Sequence, residues 1–152
     1  MLDINKQNMK YSRQGQTVTI YERDEEGNLV YIGHTDSDGN FYPYFDDDGN
    51  PIPKELGTKI GFSEPVSFKA NISFSGGEAQ AEEYGFNVAD FDAVLLTERN
   101  KFPFSKGDII WLDSIPTFDS DGLVDSTSAD FTIVGVKPSL TSTKYMLKAQ
   151  VK

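Results

Sequence analysis

Alternation between apolar and polar side chains dominates this chain. Between residues 66 and 75, Val66, Phe68, Ala70, Ile72 and Phe74 alternate with Ser67, Lys69, Asn71, Ser73 and Ser75. A period of two over ten residues describes a half-buried strand and excludes a helix stripe. The last segment repeats the pattern, with Tyr145, Leu147, Ala149 and Val151 set against Lys144, Met146, Lys148, Gln150 and Lys152. Shorter strands are expected over 17–22, 29–33, 92–97, 108–112 and 131–136.

Turn chemistry separates these segments. Three acidic reversals end in Gly-Asn: Glu25-Glu26-Gly27-Asn28, Ser37-Asp38-Gly39-Asn40 and Asp47-Asp48-Gly49-Asn50. Glycine supplies the positive φ of a tight turn, while Asp and Asn bond the local backbone. The spacing suits a hairpin or meander. The residues between the turns do not recur, so this is no solenoid repeat. One short helix is expected over 78–84, opened by the capping-box pattern Ser75-Gly76-Gly77-Glu78 and closed by Gly85. The expected fold is therefore mostly β, a small β-barrel or sandwich with long loops and one short helix. At 152 residues the chain reads as one domain. Residues 1–12 are expected to form a flexible N-terminal arm, and 36–53 a projecting acidic and aromatic loop.

Charge narrows the partners. Fourteen bases against 24 acids leave a net charge of -10. A duplex binder needs cations to displace counterions from phosphate, and an anionic lipid surface repels the same excess. Neither nucleic-acid recognition nor membrane docking is expected. From Lys137 onward, however, there are four lysines (Lys137, Lys144, Lys148, Lys152) and no acid. These either form a solvated face that discourages edge-to-edge pairing or meet an acidic neighbouring subunit. Cysteine is absent, which removes disulfides and thiolate metal sites. No apolar run exceeds four residues, so neither a secretion signal nor a membrane span is expected.

Catalytic chemistry finds little footing. His34 is the single histidine, in Ile32-Gly33-His34-Thr35-Asp36, and reads as a solvated turn residue. Setting Gly49 at the sixth position of a calcium loop places Asp46, Asp48 and Glu55 correctly but puts Tyr44 first and inserts Pro51 and Pro53. At most this is a casual cation site. Asp90 and Asp92 are spaced like ordinary surface charge. No catalytic residue, cofactor or metal is expected.

The run Phe41-Tyr42-Pro43-Tyr44-Phe45 is more informative. A proline argues against a central strand, and four aromatics in five residues cannot all face one core. The segment either covers its own barrel or offers rings to a neighbour, where Tyr and Phe are enriched. With Phe41, Tyr42, Tyr44 and Phe45, the flanking Asp46, Asp47 and Asp48 and the basic Lys144 and Lys148 are the candidate subunit or channel contacts.

Two stretches carry a family resemblance. They are Gly61-Phe62-Ser63-Glu64-Pro65-Val66-Ser67-Phe68-Lys69-Ala70-Asn71-Ile72-Ser73, followed by Ser75-Gly76-Gly77-Glu78-Ala79, and Ser128-Ala129-Asp130-Phe131-Thr132-Ile133-Val134-Gly135-Val136-Lys137-Pro138-Ser139-Leu140, followed by Lys144-Tyr145-Met146-Leu147. Over about residues 10–152 the chain resembles head-closure (stopper, or head–tail joining) proteins of long-tailed bacteriophages and of prophages in Gram-positive bacteria. The resemblance implies a small β-barrel in a dodecameric ring of the head–tail connector, located in the virion. Portal and adaptor proteins would lie above it, tail proteins below, and packaged DNA would pass through its lumen without sequence-specific binding. It carries no catalytic residues over. The alternatives are a tail-completion or other neck protein and, further off, a metal-dependent enzyme on a β scaffold.

Overall fold

The computed structural model describes residues 6–74 and 91–151. The helix expected over 78–84 lies outside the described residues. The described residues form twelve strands: β1 (Gln7–Ser12), β2 (Gln16–Tyr21), β3 (Gly33–Thr35), β4 (Phe41–Pro43), β5 (Glu55–Gly61), β6 (Val66–Phe74), β7 (Ala93–Glu98), β8 (Ile109–Trp111), β9 (Thr117–Phe118), β10 (Val124–Asp125), β11 (Phe131–Pro138) and β12 (Ser142–Ala149). Six of them close a barrel in the order β1-β6-β7-β12-β11-β8. Each neighbouring pair is antiparallel. Closure leaves no unpaired barrel edge, the usual liability of an all-β domain.

Inward residues of alternate positions fill the barrel. Met9, Phe68, Ala70, Ala93, Leu95, Ile110, Phe131, Ile133, Tyr145 and Leu147 form one buried cluster. Phe102 and Phe104, from the β7–β8 loop, plug one mouth of it. Phe104 meets Tyr11, Phe68 and Tyr145 edge to face at 4.8, 5.1 and 5.2 Å, and stacks on Phe102 at 4.9 Å. Such geometries place ring edges against π faces and add to simple burial.

Two sequence expectations need correction. Residues 7–12 are not a flexible arm but strand β1, paired with β6 on one side and β8 on the other. Met9 and Tyr11 face the core there, an alternation too short to stand out. On β12, Met146 falls on the polar side of the alternation, yet it is fully buried. Phe91, Val94 and Val134 cover it from outside the barrel. A register shift between Ile133 and Gly135 on β11 marks a bulge at Val134. In the opposite sense, Val66, Phe74 and Val151 are more exposed than their alternation implies; Val66 and Phe74 lie at the two ends of β6, and Val151 lies beyond the end of β12.

Asp130 anchors the connection between β8 and β11. One oxygen accepts the N–H groups of Leu112, Asp113 and Ser114 at 2.8–2.9 Å, and the other accepts the Ser114 hydroxyl at 2.6 Å. Partial burial pushes the acid upward, but these donors outweigh it and hold the carboxyl at about 2. A carboxyl depressed in the fold adds stability at pH values above its ordinary 3.8, and that contribution vanishes as pH falls through about 2. Replacing Asp130 by Asn should cost about 2 kcal/mol at neutral pH, part of the charge effect being screened by solvent. Urea titrations of both proteins at pH 7 and near pH 2 should converge at the lower value; a constant difference would contradict this role.

Candidate functional site: a branched acidic arm

Between β1 and β6 the chain leaves the barrel for 46 residues, from Gln16 to Gly61. The stem of this arm is the antiparallel pair β2–β5. Beyond the stem the spacing suggests a meander, and the structure departs from it. Glu22, Lys54 and Val30 form a cyclic junction: Glu22 N–H donates to Lys54, Lys54 to Val30 and Val30 to Glu22, at 2.8–3.0 Å. A second ring joins Ile32, Ile52 and Tyr44 in the same manner at 2.9–3.0 Å. At each junction three chain segments meet, so the arm branches into three short hairpins. Residues 29–33 are consequently no continuous strand, since Val30 and Ile32 spend their backbone groups at the junctions.

An acidic turn closes each hairpin. In the turns beginning at Asp24, Asp36 and Asp46, one carboxylate oxygen accepts the N–H groups two and four residues on, all at 2.9 Å. The glycine three residues after the aspartate takes φ of 87°, 88° or 83°, where a side chain would be strained. Asp119 builds a fourth turn of the same design at the β9–β10 hairpin, with Gly122 at 82° and Leu123 in the last position. The Asp-x-Asp-Gly spacing announces it in the sequence, but Leu123 replaces the expected Asn, because that position contributes only backbone. At Asp36 the Asn40 N–H, foremost among several donors, holds the carboxyl below its ordinary value.

These carboxylates are thus committed to their own turns. Among the described residues, no three acidic or histidine side chains converge in a way that could hold a metal ion. Asp46, Asp47 and Asp48 are exposed. His34 is also exposed, and lies between two rings, stacked on Tyr42 at 5.4 Å and tilted against Tyr44 at 5.9 Å. Asp92 is paired with Lys148 at 3.8 Å and accepts the Ala149 N–H; Asp90 lies outside the described residues. Substituting His34→Ala, or Asp46, Asp47 and Asp48 together by Asn, should change stability by under about 0.5 kcal/mol, since Asn keeps the capping oxygen. A chelator-induced fall in melting temperature that disappears in the triple variant would contradict this expectation.

What the arm lacks is a core. Ile20 is its one buried residue. Phe41, Tyr42, Tyr44 and Phe45 are 48–59% exposed, and Leu56 and Ile60 more so. Gly33 lets the hairpin close tightly, because a side chain there would strike the Phe41 ring and the Tyr42 carbonyl. The stem leans on the β9–β10 hairpin through Lys59 and Asp121 at 3.1 Å, and Arg23 lies against Gly122.

The basic candidates occupy the far wall. Lys144 on β12 stands opposite Lys137 on β11. Lys148, two pleats further along β12, makes the ion pair with Asp92. A groove of about 420 Å³ also crosses the β1–β6 wall, lined by Asn8, Lys10, Ser67, Lys69, Trp111 and Ile115 among others. No described helix is long and apolar enough to cross a membrane.

The fold and this arm together define the class, a closed β-barrel carrying a branched, acidic β-arm. No family profile, curated protein or solved structure matches the chain.

Proposed function

We infer that this chain is a structural virion protein, a ring subunit of a phage head–tail connector that closes the DNA channel and receives the tail. The observation carrying this reading is the arm, 46 residues with a single buried side chain and four half-exposed aromatics in five positions. Patches of that kind mark association surfaces. The exposed rings suit a chain that works through assembly. Its acidity suits a lumen that lets DNA pass without adhering, because like charge repels phosphate. The partners are copies of itself, portal and adaptor proteins on one side and tail proteins on the other.

Micrographs of particles produced with and without this chain test the reading. Heads lacking it are expected to lose DNA and remain tail-less, and its addition should restore a ring and tail joining. Heads that keep DNA and join tails without it overturn the proposal. A ring found on free tail tubes would identify the tail-completion alternative instead.

A further inference from the structure

The outer face of β1 and β6 borders an apolar trough. Its first part is the groove of about 420 Å³, closed on the far side by Leu112, Ile115 and Pro116. Across the Ile115–Pro116 rim a second depression of about 360 Å³ runs over Pro65 to Phe118. Lys10 lines both parts and Lys69 the first. The two lysines stand diagonally across the β1–β6 ladder, Lys10 opposite Ser67 and Lys69 opposite Asn8. Among the described residues, Glu64 at the far end is the one carboxylate lining either part. The rim is fixed in place. Asp130 accepts the N–H groups of Leu112, Asp113 and Ser114 and the Ser114 hydroxyl, which sets the direction in which the next two residues leave. Ile115 is nonetheless 80% exposed, and Phe118 53%. Apolar side chains held out beside an apolar trough mark an association surface. Because the loop is already ordered, seating a partner there costs little further entropy.

The arm has the complementary chemistry. Tyr44 and Phe45 are 49% and 59% exposed, and Asp46, Asp47 and Asp48 follow them directly. Residues 22–55 hold ten acids against Arg23 and Lys54. A chain's own arm does not fill its trough, since its rings stay about half exposed while its stem is held to the β9–β10 hairpin by Lys59 and Asp121. We propose that Tyr44 and Phe45 from the arm of one copy seat in the trough of another, against Ile115, with Asp47 and Asp48 toward Lys10 and Lys69. This rests on the ring reading above and names the two surfaces that meet. Arm and trough are different surfaces of the same chain, so each copy gives one contact and receives one. Such head-to-tail association makes a ring wherever the rotation closes.

The test uses the full chain in analytical ultracentrifugation, native mass spectrometry and electron microscopy. Ile115→Asp puts a carboxylate where the acidic arm lies and, at so exposed a position, should leave the circular dichroism spectrum unchanged. It should weaken association by about a hundredfold or more, the loss that follows removal of a central anchor. Lys10→Glu with Lys69→Glu should weaken it too. Adding Asp47→Lys and Asp48→Lys to that chain should restore it, because opposite charges then meet again and the Asp46 cap is untouched. Because the protein has no cysteine, a Tyr44→Cys copy mixed with a Ser67→Cys copy should give an intermolecular disulfide. Mixing Tyr44→Cys with Lys137→Cys, on the far wall, should not. Wild-type rings that Ile115→Asp leaves as strong, or a chain with all four charge changes that fails to recover, overturn the contact and leave the ring reading standing. Closed dimers carrying the 44–67 disulfide support the contact and overturn the ring. A wild-type chain that stays monomeric at every concentration removes both.

Discussion

A chain in which Glu22 is joined to Lys54 through Asn-Gly is expected to fold with its barrel unchanged and to form no ring at all. Glu22 N–H already donates to the Lys54 carbonyl at 2.9 Å, so a two-residue turn can replace everything beyond the stem. The deletion removes residues 23–53, none of which is buried. Ile20, the arm's one core contact, stays in β2. With no fully buried side chain lost, the melting temperature should move by no more than about 2–4 °C, the shift of roughly 1 kcal/mol in a domain of this size. Assembly should be abolished, because every half-exposed aromatic of the arm and eight of its ten acids go with the deleted segment. Analytical ultracentrifugation beside circular dichroism separates the two effects. A shortened chain that unfolds shows the arm to be part of the core. One that folds and still forms rings shows that the arm is not the contact.

The other large effect lies at the barrel mouth. Phe104→Ala is expected to destabilise the fold by about 3–5 kcal/mol, in the range for a buried aromatic whose neighbours cannot collapse into the space. Phe104 is 8% exposed and touches Tyr11, Phe68, Phe102 and Tyr145, which belong to four different segments. Strand pairing holds three of those residues in place, so the hole cannot close locally. Against a typical domain stability of about 5–15 kcal/mol, such a loss brings the variant close to unfolding near body temperature. Phe104→Leu should recover most of it by refilling the volume. Guanidinium titration of the two variants checks the claim. A loss under about 1 kcal/mol for the alanine form would mean that the loop is a removable lid rather than part of the core.

The periodic strands were legible in the chain because their two faces see different solvents. β6 and β12 lie where ten- and nine-residue alternations placed them, and both supply core residues at the expected positions. The tight turns were legible as well, since Asp, Gly and Asn act through their own local backbone and need no distant partner. That four rings crowded beside a proline cannot all face one core was legible too, whereas the half-exposure of Phe41, Tyr42, Tyr44 and Phe45 is decided by the structure. Other features depend on contacts between residues far apart in the chain, and those only the tertiary structure decides. Met146 reads as a polar-face residue until Phe91 is seen to cover it. β1 is too short to announce itself, and it is held by β6 and β8 from 55 or more residues away. Closure of six strands places the arm root and the paired lysines on opposite walls, an arrangement with no local signature. The cyclic junctions at Glu22, Val30 and Lys54 and at Ile32, Tyr44 and Ile52 are made by backbone groups alone. Every residue type carries those groups, so side-chain pattern cannot reveal how they pair.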